Sequence, residues 1–270
     1  MIPYSTQDIN KEDIKAGAKV LRSGWLTQGP AVSSFEQAIA KKVGTKFAVA
    51  FNSGTAALHA AYFAAGITTG DEVIMPSITF AATANAALYL GAKPIFADSE
   101  MKTGNMDAAN IEAKITSKTK AIVVVDYTGR PADLRGISMI AKKHKLIFIE
   151  DAAQALGAEY RGKSVGTQAD MTMFSFHPVK SITTGEGGII VTNNLKFDSA
   201  MRLFRSHGIS KDVKTFTCKN NAAWYQEMQI LGYNYRMPDI CAALGESQLK
   251  RLTSFIFKRR MAAIRYHKLL

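Results

Sequence analysis

Short apolar runs separated by stretches of helical composition recur along most of the chain. Residues 47–51, 72–75, 94–97, 121–125, 146–150, 171–176 and 188–192 read as strands, because each is a short, mostly apolar run bounded by polar or turn-forming residues. Between them, residues 54–65, 81–90 and 134–144 carry alanine-rich or amphipathic patterns of helical length. Residues 158–163 read as a turn or small hairpin that interrupts the alternation. This order predicts an α/β fold with a mainly parallel central sheet covered by helices, and ligands gathered at the carboxyl ends of its strands. No internal repeat, low-complexity tract or linker divides the chain.

Composition then bounds the size of the core and the class of partner. With 270 residues and 47% hydrophobic content, the chain can bury a large core as one domain, or as one domain and part of another. The segment from Met1 to Lys11 is polar, and no run of apolar residues is long enough to span a bilayer, so a cytoplasmic protein with no membrane partner is expected. Cys218 and Cys241 have no metal-ligand spacing, so no metal site is expected and both read as structural or incidental thiols. A net charge of +12 raises the question of nucleic acid. Lys250, Arg251, Lys258, Arg259, Arg260, Arg265 and Lys268 supply seven of those charges with no acidic residue between 250 and 270, which leaves +5 for the rest. Leu249, Leu252, Phe255, Ile256 and Ala263 recur there at helical spacing, so the cations are expected on the solvated face of an amphipathic helix. No nucleic-acid-binding motif accompanies them, and no nucleic-acid partner is expected.

Candidate chemistry concentrates in four segments. The run Phe174-Ser175-Phe176-His177-Pro178-Val179-Lys180 ends in a lysine 29 residues after Asp151, itself at the end of an apolar strand. An ammonium with an ordinary pKa near about 10.4 is a poor nucleophile, but a lysine that holds a carbonyl cofactor as an imine becomes a handle for carbanion chemistry. Pyridoxal 5'-phosphate needs such a lysine. It also needs a carboxylate against its pyridine nitrogen, since a protonated ring withdraws electrons better than a neutral one. Lys180 and Asp151 supply that pair and are the candidate catalytic residues. An aspartate ending a buried strand is costly to desolvate unless it meets a cation, which the protonated ring provides; a helix cap is the alternative. Gln154 is either a donor to the cofactor's phenolic oxygen or a surface glutamine.

Asn52-Ser53-Gly54-Thr55, between a strand and a helix, reads either as a phosphate seat at a helix amino terminus or as an ordinary turn capped by Ser53. It has neither the Gly-Lys-Ser/Thr ending of a nucleotide-triphosphate loop nor the glycine spacing of a dinucleotide fingerprint. Phe80 is either a core aromatic or a platform for a planar ring, a stack worth about 1 kcal/mol beyond its buried area. Gly185-Glu186-Gly187-Gly188 lets the backbone pass close to a ligand. Ser175 is a candidate phosphate contact, and His177 either orients the lysine or stands behind it.

Leu26-Thr27-Gln28-Gly29-Pro30, Asn52-Ser53-Gly54-Thr55-Ala56-Ala57-Leu58, Glu150-Asp151-Ala152-Ala153-Gln154, Ser175-Phe176-His177 with Lys180, Gly185-Glu186-Gly187-Gly188 and Gly232-Tyr233-Asn234-Tyr235-Arg236-Met237 occur in this order. Together they resemble the DegT/DnrJ/EryC1/StrS family of sugar-nucleotide aminotransferases over nearly the whole chain. The resemblance implies an aspartate-aminotransferase-type fold, the PLP fold type I. It implies that Lys180 carries the cofactor, Asp151 pairs with the pyridine nitrogen, Gln154 meets the phenolic oxygen and Phe80 stacks on the ring. Gly54, Thr55 and Ser175 then hold the phosphate. Asn234 matches an asparagine that reaches the neighbouring subunit's phosphate region, which implies a homodimer with shared sites. Tyr4, Gly24, Trp25, Leu26 and Thr27 match positions that line the sugar-nucleotide pocket, joined there by Gly54, Ser175 and Asn234.

Val125-Asp126-Tyr127-Thr128-Gly129, Ile182-Thr183-Thr184-Gly185-Glu186-Gly187-Gly188 and Phe204-Arg205-Ser206-His207-Gly208 most resemble the pseudaminic-acid branch, which serves surface-polysaccharide biosynthesis. That resemblance implies transfer of an amino group from L-glutamate to the C4 ketone of a UDP-linked 4-keto-6-deoxy-N-acetyl-hexose, with Lys180 moving the proton. An enzyme for another nucleotide keto sugar, and a truncated non-catalytic remnant, are the alternatives; a sugar dehydratase of this fold carries histidine in place of the lysine. Residues 1–245 are expected to form the cofactor-binding large domain. Residues 246–270 are expected to begin a helix leading to a smaller domain, about 100 residues long, that the chain lacks.

Overall fold

The structure, a computed structural model, describes residues 6–218 and 222–270. Helices α1 (Lys11–Leu21) and α2 (Pro30–Val43) lead into β1 (Phe47–Phe51), α3 (Gly54–Ala64), β2 (Glu72–Pro76), α4 (Ala81–Leu88) and β3 (Lys93–Ala97). After these come β4 (Thr119–Val125), α5 (Leu134–His144), β5 (Ile147–Asp151), the small hairpin β6 (Glu159–Tyr160) and β7 (Lys163–Ser164), and β8 (Met171–Ser175). The chain continues through β9 (Gly188–Thr192), α6 (Leu195–Arg205), β10 (Ile209–Ser210), β11 (Glu227–Met228), α7 (Asp239–Leu249) and α8 (Leu252–Leu269). Each strand and helix expected between residues 47 and 192 is present, and helix α5 has the expected limits.

The central sheet has seven strands in the order β1-β9-β8-β5-β4-β2-β3. Six run parallel, and β9 runs antiparallel to both of its neighbours, β1 and β8. Strands β4, β5, β8 and β9 are buried on both faces, which is why they read as continuous apolar runs rather than alternations. Successive β9 residues face opposite layers. Ile190 joins Val49, Phe51, Leu58, Tyr62 and Phe204 beneath α3, α4 and α6. Ile189 and Val191 instead join Phe35, Ile39, Phe174 and Phe176 beneath α2 and α7. Helix α3 is buried from Ala56 through Tyr62 because the sheet, α4 and α6 surround it, so its sequence is apolar all round.

The amino-terminal helices have clear stop and start chemistry. Asn10 and Asp13 form a reciprocal capping box on α1, and Pro30 opens α2 while Gly44, at φ 89°, closes it. At the other end, the expected transition at residue 245 falls inside α7, and the helical path breaks later, at Arg251. Arg251 has φ −102° and ψ 0°, and its guanidinium turns to the carboxylate and carbonyl of Asp8, each at 2.9 Å, and to Asp13. The break therefore follows a contact with a segment more than 200 residues earlier, a distance along the chain that no local pattern spans. The amphipathic packing expected through Ala263 also ends early. In α8 Leu252 is buried and Phe255 and Ile256 are half-buried, whereas Phe257, Met261, Ala263, Ile264 and Tyr266 are exposed together with the cations. No helix among the described residues is long and apolar enough to cross a membrane.

Candidate active site

The site grows from the carboxyl edge of the sheet. Because β9 lies between β1 and β8, Gly188 is paired with Phe51 on one side and Ser175 on the other. A β-carbon at Gly188 would stand 2.6 Å from Gly54 Cα, Gly54 N and the Ser53 carbonyl oxygen, all backbone atoms that cannot swing aside. The missing side chain thus lets the turn after β1 close over the sheet edge. There, a β-carbon on Gly54 would meet Ser175 Oγ at 3.5 Å, so the Gly54-Thr55 turn and Ser175 face each other across little space. Ser53 Oγ accepts from the Ala56 amide at 3.1 Å and caps α3. The Asn52 amide donates to the Tyr235 carbonyl at 2.9 Å, which sets exposed Asn234 beside this turn.

Asp151 ends β5 and is 4% exposed. Its Oδ2 accepts from Thr83 Oγ1 at 2.7 Å and its Oδ1 from the Ala153 amide at 3.2 Å. Thr83 is held in turn by Thr79 Oγ1, which donates to its hydroxyl at 2.8 Å, and by Tyr62, whose hydroxyl donates to its carbonyl at 2.9 Å. Phe80 stands one helical turn before Thr83, on the same side of α4. It is 78% exposed and has no ring partner among the described residues, which excludes the core reading and leaves its face free.

Lys180 follows Ser175 in a compact loop. Its amide donates to the His177 carbonyl at 2.9 Å, and the loop closes through Phe176 N to the Gly187 carbonyl at 2.9 Å and Thr183 Oγ1 to the Phe176 carbonyl at 3.0 Å. The half-buried Lys180 ammonium is lowered in pKa by burial, with Asp151 pulling the other way. Burial likewise raises the Asp151 carboxyl, opposed by the hydrogen bonds of Thr83 and Ala153 and by Lys180. Both groups are thus pushed toward neutrality although they attract each other, so the chain's own contacts do not fully compensate the loss of water around Asp151. A cationic ring nitrogen against this carboxylate would meet that need. With Gly54, Thr55 and Ser175 clustered at an amino-terminal helix turn, the residues fit pyridoxal phosphate.

The other expected positions are placed separately. Gln154 is exposed just past β5, and His177 is exposed on the lysine loop. Gly24, Leu26 and Thr27 are exposed, and Trp25 lines a groove of about 650 Å³ between α1, α2 and α7 that shares no lining residue with the Asp151 cluster. Tyr4 lies outside the described residues. No group of three or more His, Cys, Asp or Glu suited to a metal occurs among the described residues.

Sequence reasoning gave no role to Thr83 and Tyr62, nor to a second acidic pair behind the site. Glu150, fully buried on the opposite face of β5, accepts from Thr172 Oγ1 at 2.7 Å, while its Oε1 and the Oδ2 of Asp126 are buried without a hydrogen-bond partner among the described residues. Asp126 accepts from the Ala132 amide at 3.0 Å, and its own amide donates to the Asp151 carbonyl at 3.0 Å. Burial, then the Glu150 charge, pushes the Asp126 carboxyl up to about 9, and burial raises Glu150 as well. Two acids both raised by burial, each with an unpartnered buried oxygen, hold a proton between them at neutral pH. The detectable signal was Glu150 itself, a charge within an apolar strand. The folded chain binds this proton and the unfolded chain releases it above 3.8, so this contribution to stability falls as pH rises from there toward about 9. Asp126→Asn, whose amide donates permanently, is expected to lose fewer degrees of thermal midpoint than wild type between pH 5.5 and 8.5, as read by calorimetry. Equal losses in both proteins would refute the shared proton.

A model of the DegT/DnrJ/EryC1/StrS aminotransferase family matches residues 7–270. The chain is 45% identical over 271 residues to the UDP-4-amino-4,6-dideoxy-N-acetyl-beta-L-altrosamine transaminase of Campylobacter jejuni subsp. jejuni serotype O:23/36, covering 99% of this chain and 69% of that protein. Among solved structures, it is similar to Helicobacter pylori PseC, an aminotransferase involved in the biosynthesis of pseudoaminic acid, with 40% identity and a TM-score of 0.92 over 98% of this chain and 70% of that one. The PLP form of the putative sugar aminotransferase Spr1654 from Streptococcus pneumoniae aligns with 31% identity and a TM-score of 0.91 over 99% of this chain and 71% of that one. The expected PLP fold type I is thereby borne out. On the family match, the shared fold and the acid-lysine site, the chain belongs to the DegT/DnrJ/EryC1/StrS aminotransferase family, pyridoxal-phosphate-dependent sugar aminotransferases.

Proposed function

We propose that this chain transfers the amino group of L-glutamate to the C4 ketone of a UDP-linked 4-keto-6-deoxy-N-acetyl-hexose. The observation that carries the reading is buried Asp151, held by Thr83 and Ala153 and electrostatically linked to half-buried Lys180. The 45% identity to the Campylobacter transaminase supports this sugar, and the likeness to PseC supports a place in pseudaminic-acid biosynthesis.

Bound pyridoxal phosphate supplies an electron sink for negative charge on the carbon beside the transferred nitrogen. Asp151 would keep its ring nitrogen protonated, and Thr83 keeps Asp151 aimed. Gly54, Thr55 and Ser175 would hold the phosphate, Phe80 would cover one ring face, and Gln154 would donate to the phenolic oxygen. Lys180 would hold the carbonyl carbon. Its free amine would take the proton from the glutamate α-carbon, a role favoured by burial, which lowers its pKa. In the second half the same amine would deliver a proton to the sugar C4, so the net products would be 2-oxoglutarate and the 4-amino sugar.

Gly24, Trp25, Leu26 and Thr27 would contact the sugar nucleotide. We read residues 1–245 as the cofactor-binding domain and the active form as a cytoplasmic homodimer in which Asn234 serves the other subunit's phosphate region. Exposed Leu88 and Tyr89, at the far end of α4 from Phe80, support an apolar contact there, and the free thiols of Cys218 and Cys241 fit a reducing compartment. Incubation with 15N-glutamate and a panel of nucleotide-linked keto sugars is expected to place 15N at C4 of the UDP-linked 4-keto-6-deoxy-N-acetyl-hexose. Label on a different sugar, or on none, would overturn the assignment.

A further inference from the structure

We propose that Arg259 is a positioning residue for Lys180, an inference that rests on the reading of Lys180 above. Within the turn 178–182, the Lys180 amide is bonded inside the loop, to the His177 carbonyl. Among the described residues, the hydrogen bond that reaches this turn's backbone from outside the loop is Arg259 Nη2 to the Lys180 carbonyl, at 2.7 Å. That carbonyl belongs to the residue whose side chain must reach the cofactor, so the bond fixes the peptide plane from which the lysine projects.

The surroundings make the tether consequential. A cavity of about 200 Å³ lies between the turn and the amino-terminal segment, walled by Gln7, Asp8, Lys180, Phe255 and Arg259. It gives an untethered turn somewhere to move. Arg259 also marks where α8 leaves the body of the protein, because the helix packs through Leu252, Phe255 and Ile256 and is exposed from 257 onward. Displacement of this end of α8 is thereby passed to the lysine peptide through one charge-assisted bond.

The test follows covalent capture of added pyridoxal phosphate by the full chain, fixed with borohydride and located by mass spectrometry, below the thermal midpoint of each variant. Arg259→Met is expected to slow labelling of Lys180 about ten-fold, the scale of one charged hydrogen bond, with an unchanged thermal midpoint and lower kcat at similar glutamate KM. Arg259→Lys, which keeps a charged donor, is expected to recover part of the rate. Arg260→Met removes the same charge from an exposed neighbour and is expected to label as wild type does. If Arg259→Met labels at the wild-type rate, or Arg260→Met slows equally, the positioning role is overturned. If wild type is not labelled at Lys180, the underlying site reading falls and this inference falls with it.

Discussion

Lys180→Ala is expected to lower amino transfer about 10⁴-fold, the upper range for removal of a positioned proton carrier, while leaving the fold intact. The side chain is half-buried and lines a cavity, so truncation removes no core packing. Its loss leaves Asp151 without the cation that acts on it among the described residues, yet burial already biases that carboxyl toward its neutral form. The thermal midpoint of the cofactor-free protein should therefore change little. Single-turnover kinetics with glutamate measure the effect, and added methylamine, a free amine of similar basicity, is expected to restore part of the rate. A variant that turns over within ten-fold of wild type would remove Lys180 from the chemistry.

Asp151→Asn is expected to have opposite effects on the empty and loaded protein. The side chains have the same shape, and an asparagine oxygen can still accept from Thr83 or from Ala153, so the fold survives. A buried charge whose desolvation is not fully compensated disappears, so the cofactor-free chain should melt at the same temperature as wild type or higher. With pyridoxal phosphate bound, the variant should melt lower, because the ring nitrogen loses its anionic partner, and turnover should fall about 10³-fold. Two parallel thermal scans, with and without cofactor, expose the crossing. Destabilisation of the empty chain would contradict the electrostatic account of this residue.

Most of the sheet and several of the candidate site residues were legible in the sequence for one reason: their signals are local. Strand β4 is a run of buried apolar residues, and α5 carries an aspartate cap at Asp133 and basic residues in its last turn. Gly54, Asp151, Ser175 and Lys180 each follow or end a strand, where ligands of α/β proteins gather. The direction of β9 was not legible, since Gly188–Thr192 has the composition of any buried strand and orientation is decided by pairing partners. Thr83 escaped because its partner Asp151 is 68 residues away and a threonine in an alanine-rich helix is unremarkable in itself. The Asp126 and Glu150 pair escaped for the same reason: only the packing of β4 beside β5 makes them neighbours. The Arg251 break needed knowledge of Asp8 and Asp13 at the far end of the chain.

The edge strand β1, paired through the antiparallel β9, also constrains biosynthesis. Phe51 finds its partner in Gly188, 137 residues later, and among the described residues β1 has no other neighbour in the sheet. At a synthesis rate of about 5–20 residues per second, the nascent strand waits roughly 7–27 s with its ladder unmade. Through that interval the apolar Phe47–Phe51 strand lacks the partner that covers its edge in the folded sheet, the kind of unpaired edge that pairs readily with other chains.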